Sequence, residues 1–245
     1  MTSRPLAGKI ALVTGATRGI GRAVAIAYAQ AGAHLVLTGR TSGALEEIDD
    51  EIRTVQGKGG EGATLVTLNL KHGEKIDGLG PTLYQRFGKL DVVAACAGIL
   101  GPLTPLGHCT ADAWNDVMAI NLTANWRLLR TLDPLLQRSE AGRAILVTSG
   151  AASGKNAYWG PYAVSKAGIE TLGKTYAAEN QTTKVKVNIV NPGPIRTRMR
   201  AQAFPGEDPM TLKTPEDIAP LFLKLASVDV DTSGAIYDFK TGAVR

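Results

Sequence analysis

Tyr162 and Lys166 stand four residues apart in "YWGPYAVSK" (158–166), a spacing that puts both on one face of a helix. A phenol titrates near about 10, too high for easy proton exchange at neutral pH. A nearby ammonium favours the phenolate and lowers that value. The pair therefore predicts Tyr162 as a general acid and base, with Lys166 tuning it. Tyr158 has no lysine at this spacing. Pro161 disfavours helical geometry at Gly160 and suits the first turn of a helix beginning near 162, so Tyr158 falls on the approaching loop as a packing residue or pocket wall. A tyrosine and lysine so spaced also arise in ordinary helices, and their companions decide. Ser149 ends an apolar run in "LVTSG", at the strand edge where open α/β sheets bind ligands. Its hydroxyl could donate to a substrate oxygen or merely cap a turn. Asn121 lies in "VMAINLTANW", and a buried amide there needs a structural partner or a water chain.

A second constellation opens the chain. "TGATRGIG" (14–21) follows a short apolar run, with Gly15, Gly19 and Gly21 where a strand turns into a helix. Small residues let backbone approach a pyrophosphate, and the helix N-terminus offers free N–H groups. Glycine also serves plain turn geometry, so the position after a strand is what favours a dinucleotide site. At the end of the next apolar run an NAD site usually places an acid on the ribose hydroxyls. Here the chain reads "LTGRTSG", with Arg40 and no acid before Glu46. Arg18 in the glycine turn adds a second planar cation, and the two suit a 2′-phosphate. Each alone reads as a surface arginine; together, with the acid missing, they predict NADP(H).

These residues need a sheet to carry them. Apolar runs at 9–15, 33–39, 63–70, 90–98, 143–150 and 185–193 read as buried strands, with "AIYDF" (235–239) as a final edge strand. Helical segments are expected at 19–31, 43–57, 74–88, 111–138 and 162–180. One more begins at "TPEDIAPLFLKLA" (214–226), with Thr214 as N-cap and Pro215 at the first position. Strand–helix alternation predicts an α/β, three-layer Rossmann fold: a doubly wound parallel sheet of about seven strands with helices on both faces. Without linker or repeat, residues 1–245 read as a single domain.

The formal net charge is +5, but the cations are scattered among acids, which gives no footprint for nucleic acid and fits a phosphorylated cofactor equally well. Cys96 and Cys109 read as free thiols in a reducing compartment, and the three histidines show no ligand spacing, so no metal is expected. No stretch suits a signal peptide or a bilayer span, and the chain reads as soluble and cytoplasmic.

Taken together, "TGATRGIG", "ACAG" (95–98), Asn121, Ser149 thirteen residues before Tyr162, "YAVSK" and "NPGPIRT" (191–197) resemble the short-chain dehydrogenase/reductase family over essentially the whole chain. The stretch 203–220 is similar to a bacterial, YciK-like subgroup of it. The resemblance implies a catalytic tetrad. Tyr162 exchanges the proton with the substrate oxygen, and Lys166 holds the nicotinamide ribose. Ser149 steadies the substrate, and Asn121 holds a water behind Lys166. It also implies cofactor contacts from Gly15, Thr17, Arg18, Gly19, Ile20, Gly21, Arg40, Asn69, Leu70, Ala97, Gly98, Pro192, Gly193, Ile195 and Thr197. The family commonly has Asp where Asn69 stands and Asn-Asn where Ala95-Cys96 stand. The expected activity is NADP(H)-dependent hydride transfer between nicotinamide and a carbonyl/alcohol carbon of a small-molecule substrate. The alternatives are a catalytically idle NADP-binding regulator on the same fold and a sugar-nucleotide epimerase, the latter disfavoured because only about fifty residues follow "NPGPIRT". Family members commonly pair the helices at 111–138 and 162–180 between copies, so a homodimer or homotetramer is expected. Residues 198–213 are expected to form a short lid whose arginines either meet solvent or an anionic substrate group.

Overall fold

A computed structural model describes residues 4–57 and 59–245. Its seven strands are β1 (Ile10–Thr14), β2 (His34–Gly39), β3 (Thr64–Thr67), β4 (Val92–Ala95), β5 (Arg143–Val147), β6 (Lys186–Asn191) and β7 (Ile236–Asp238). They form one sheet in the order β3-β2-β1-β4-β5-β6-β7, and every neighbouring pair is parallel. The order reverses between β1 and β4, which opens a crevice at the carboxyl ends of those strands. Nine helices alternate with the strands among the described residues: α1 (Gly19–Gln30), α2 (Ser42–Gln56), α3 (Gly73–Asp77), α4 (Leu79–Phe87), α5 (Ala111–Met118), α6 (Ala124–Gln137), α7 (Gly160–Glu179), α8 (Arg198–Ala203) and α9 (Pro215–Ala226).

Both sheet faces are covered, as the strands' unbroken Val, Ile and Leu runs require. On one side α1, α2 and α9 bury Tyr28, Leu45, Ile48 and Phe222 against Val13 and Leu35. On the other, α6 and α7 bury Leu128, Leu132, Ile169 and Tyr176 against Val93, Leu146 and Ile189. Each fully buried side chain of this size contributes about 1.5–3 kcal/mol. The Tyr28 hydroxyl inside the first layer donates to the Phe222 carbonyl at 3.1 Å, so its burial leaves no polar atom unpaired. Helix α9 starts as expected: Thr214 and Asp217 form a reciprocal capping box, and Pro215 takes the first position.

Two expectations are corrected. The helix expected over 111–138 is α5 and α6 joined by a π turn at Ala119–Thr123, and that turn carries Asn121. The helix expected over 74–88 divides at Gly78 into α3 and α4; a Cβ at Gly80 would lie 2.1 Å from the Thr131 carbonyl, so close packing on α6 dictates the residue. As expected, β7 is the edge strand of the sheet. Ile236 and Asp238 donate to Arg245 and Ala243 as the chain folds back along it.

Candidate active site

Helix α7 begins at Gly160, two residues earlier than its sequence suggested, with Pro161 in its first turn and Tyr158 just ahead. Tyr158 has φ 73°, the left-handed region that non-glycine residues rarely adopt, and its carbonyl accepts from Thr104 at 3.0 Å. Its side chain is exposed, whereas Tyr162 and Lys166 are buried. This burial separates the two tyrosines: one faces solvent, the other the crevice.

Lys166 Nζ lies 5.7 Å from the Tyr162 ring centroid and donates to the Val147 carbonyl at 2.8 Å, at the carboxyl end of β5. Two residues on, Ser149 leaves the strand in extended geometry, and its Oγ accepts from Ala151 N. Burial raises the Tyr162 phenol above its ordinary value, while the neighbouring Ser149 hydroxyl pulls it down. The expected lowering by Lys166 is not found: desolvation sets the direction, and the Lys166 ammonium is turned to the Val147 carbonyl. The same desolvation lowers Lys166 to about 8. Beside it, burial pushes the Cys96 thiol up to about 12, so this neighbour stays a neutral thiol at physiological pH.

Asn121 is fully buried, and its amide resolves the alternatives its position left open. Its Oδ1 accepts from Ile99 N at 2.8 Å, and Nδ2 donates to Ile99 O at 2.9 Å and to Ser165 Oγ at 3.1 Å. Both donors are thus spent on protein rather than on a water. Ser165 Oγ donates in turn to the Tyr162 carbonyl at 2.7 Å. Ser165 was missed as a site residue, although it stands beside Lys166 in the motif; only its complete burial reveals the link. A Cβ at Gly98 would lie 3.3 Å from Asn121 Oδ1 and 3.7 Å from Lys166 Nζ, so glycine there keeps the floor of the crevice open.

The glycine-rich turn meets this floor across the switch point. Thr14 Oγ1 accepts from Ala97 N at 3.1 Å, and a Cβ on Gly15 would stand 2.9 Å from Ala97 Cα. A Cβ on Gly21 would lie 2.3 Å from the Gly15 carbonyl oxygen, which only glycine permits. Gly19 has φ 56° and faces the Thr197 methyl, while Ile20 packs on the core below. Thr17 approaches the Gly39 backbone beside Arg40. The cradle is thus lined with backbone, as a pyrophosphate requires, and the residues fit a dinucleotide. Arg18 and Arg40 are exposed and pair with no carboxylate among the described residues. Farther out, Leu70 is buried and Asn69 Oδ1 accepts from Lys71 N, so the amide shapes its own turn. After β6, Pro192 and Gly193 turn the chain, Ile195 is buried, and Thr197 caps α8. The Asn69–Leu70 pair adjoins Gly39 through the bond from Leu68 N to Gly39 O.

The segment expected as a lid, residues 198–213, lies in a loop closed at its base by a parallel bridge between Ile195 and Lys213. Met199 and Ala203 of α8 pack into a small cluster with Tyr162, Ala163 and Leu100. Trp159 joins lid to floor: its ring lies 5.7 Å from Tyr162 on one side and 5.7 Å from Phe204 on the other. Residue spacing does not announce this aromatic chain, because Trp159 and Phe204 are forty-five residues apart and meet only in space.

A family model for short chain dehydrogenase matches residues 9–208. The uncharacterized oxidoreductase YciK of Escherichia coli K12 is 38% identical over 235 residues, covering 96% of this chain and 92% of that protein. A solved short chain dehydrogenase from Shigella flexneri 2a, complexed with NADP, superposes with TM-score 0.92 at 37% identity, covering 97% of this chain and 99% of the other. One from Escherichia coli CFT073, complexed with NADPH, gives 0.91 at 37% identity, covering 96% and 98%.

Proposed function

The chain belongs to the short-chain dehydrogenase/reductase family, and from that premise we propose that it is an NADP(H)-dependent oxidoreductase interconverting a small-molecule carbonyl and its alcohol. The observation that carries this reading is the convergence of Ser149, Tyr162 and Lys166 at the end of β5, against Gly98 and the backbone-lined turn. When bound, NADP(H) supplies or takes up the hydride. In reduction Tyr162 donates its proton to the carbonyl oxygen, and in oxidation it receives one from the alcohol. Ser149 Oγ donates a hydrogen bond to the same oxygen. Lys166 would hold the nicotinamide ribose, with Gly98, Pro192, Gly193, Ile195 and Thr197 around the ring. Gly15, Thr17, Gly19, Ile20, Gly21 and Ala97 would form the pyrophosphate cradle, and Asn69 and Leu70 the adenine side. Asn121 acts as a positioning residue, fixing the strand end at Ile99 and, through Ser165, the backbone of Tyr162.

Arg18 and Arg40 would grip the 2′-phosphate. Such a pair contributes about 1–3 kcal/mol, roughly ten- to a hundredfold in affinity. Fluorescence titration is expected to give tighter binding of NADPH than NADH, with the preference lost in Arg40→Ala. Equal affinities in the parent protein, or an unchanged preference in the variant, would overturn the assignment.

The same reading takes the whole chain as one domain and makes it a homodimer or homotetramer. Trp126 of α6 and Val164 of α7 are 43% and 45% exposed, apolar surface that a second copy could cover. Light scattering should give a multiple of 25.7 kDa at micromolar concentration; a lone chain would remove this part. The free thiols Cys96 and Cys109 support a reducing, cytoplasmic setting, and no described helix is long and apolar enough to cross a membrane.

A further inference from the structure

The lid segment forms a half-open cavity of about 450 Å³, walled by Arg196, Arg198 and Arg200 together with the apolar Phe204, Pro205 and Leu212. Glu207 is the one acid on its wall, and it is already taken: Arg200 donates to both of its oxygens at 2.6 Å and lies 3.7 Å over the Phe204 ring. Arg196 and Arg198 form no ion pair within 4 Å among the described residues; the Arg196 guanidinium donates to the Met210 sulfur at 3.3 Å, with the Asp217 carboxyl near enough to feel its charge. The cavity therefore holds two unpaired cations against apolar walls. Its Phe204 wall is two ring-to-ring steps of 5.7 Å, by way of Trp159, from the Tyr162 phenol. Leu103, Leu106 and Tyr158 add exposed apolar surface on the loops that meet at the Thr104–Tyr158 hydrogen bond.

We propose that this cavity takes the anionic end of the substrate, with Arg196 and Arg198 as its ligands. The compounds turned over are then anionic amphiphiles. A carboxylate or phosphate sits in the lid, an apolar body lies along Phe204 and Trp159, and the reacting carbonyl reaches Tyr162. This rests on the oxidoreductase reading above and gives it a substrate class. Planar guanidinium groups suit both oxyanions, and neutralising them in a half-open, apolar-walled cavity adds affinity that an uncharged analogue cannot obtain.

The test uses the NADP⁺-loaded protein, in which a carbonyl compound binds without reacting, so its outcome is independent of turnover. A series of (ω−1)-oxo-alkanoates, methyl ketones of increasing chain length, and their methyl esters is titrated by following Trp fluorescence, with calorimetry as a second readout. The acids are expected to bind about five- to tenfold more tightly than the esters, with the difference shrinking at high salt. In Arg196→Gln/Arg198→Gln, whose side chains are exposed and free of ion pairs, the acid should fall to the ester's affinity while NADP⁺ binding is retained. Inorganic phosphate and acetate are then compared as competitors, and stronger competition by one identifies which oxyanion the cavity prefers. Equal binding of acid and ester in the parent protein overturns the proposal. So does a preference that survives in the double variant, or a loss of NADP⁺ affinity there with the acid preference intact, which would assign the arginines to the cofactor. Failure of NADP⁺ itself to bind the parent protein would instead strike the underlying reading.

Discussion

At the floor of the crevice Asn121 grips Ile99 and Ser165, 22 and 44 residues away along the chain. In the lid Arg200 grips Glu207, seven residues away, and stacks on Phe204 within the same segment. The first set of contacts exists only when β4, the π turn and α7 are packed together, so it opens only with the sheet. The second is closed within one loop, bridged at its base and touching the floor through Trp159, Met199 and Ala203. Local contacts on exposed backbone open at low free energy, whereas core contacts open near the global unfolding limit. On the function proposed above, proton transfer would then fall to the rigid region and substrate admission to the self-contained one.

The largest expected effect breaks the floor's chemistry without touching its packing. Tyr162→Phe keeps the buried ring and removes the hydroxyl, so NADPH binding and folding should persist while turnover falls about 10²–10⁴-fold. Tyr158→Phe, on exposed surface, should change the rate only modestly. Steady-state kinetics on any accepted carbonyl compares them, and a near-normal Tyr162→Phe beside an inactive Tyr158→Phe would reverse the roles of the two residues.

A second experiment weighs what the floor costs. Burial lowers Lys166 to about 8 from its ordinary 10.5, so the unfolded chain binds this proton more strongly than the folded one. The penalty on stability is complete below about pH 8 and is relieved as pH rises from there toward 10.5. Lys166→Met should therefore lose turnover and cofactor affinity yet gain up to about 3 kcal/mol of stability at pH 7, less whatever the lost bond to Val147 contributed. That gain should fade by pH 10. Denaturant unfolding at the two pH values checks it, and a gain independent of pH would mean that packing, not charge, accounts for the change.

The smallest effect belongs to the lid. The Arg200 hydrogen bonds hold the Glu207 carboxyl below its usual value, so the clasp contributes fully above the ordinary glutamate range and is lost as pH falls from there through the lowered folded value. Glu207→Gln should leave the unfolding temperature nearly unchanged, raise KM more than it lowers kcat, and alter the Trp159 emission as Phe204 loosens. A large drop in unfolding temperature would show that the lid is part of the cooperative core.

Much of this was legible from residue types and spacing. Gly15, Gly19 and Gly21 announced a turn where backbone must approach backbone, and a Cβ at 21 would indeed meet the Gly15 carbonyl. Tyr162 and Lys166 were readable because one helical turn joins them whatever the helix packs against, and the capping box at Thr214 because all its partners lie within four residues. Local geometry of this kind needs no knowledge of the fold. What the residues could not disclose depended on distant partners meeting. The phenol of Tyr162 rises rather than falls, because desolvation is set by everything packed around it. The helix through Asn121 widens into a π turn whose side chain reaches Ile99 and Ser165. Ser165 links Asn121 to Tyr162, Trp159 bridges to Phe204, and among the described residues two of the lid's three arginines have no ion pair while the third is clasped. Sequence spacing determined which groups could act; burial and long-range contact decided their charge, their partners and the space beside them.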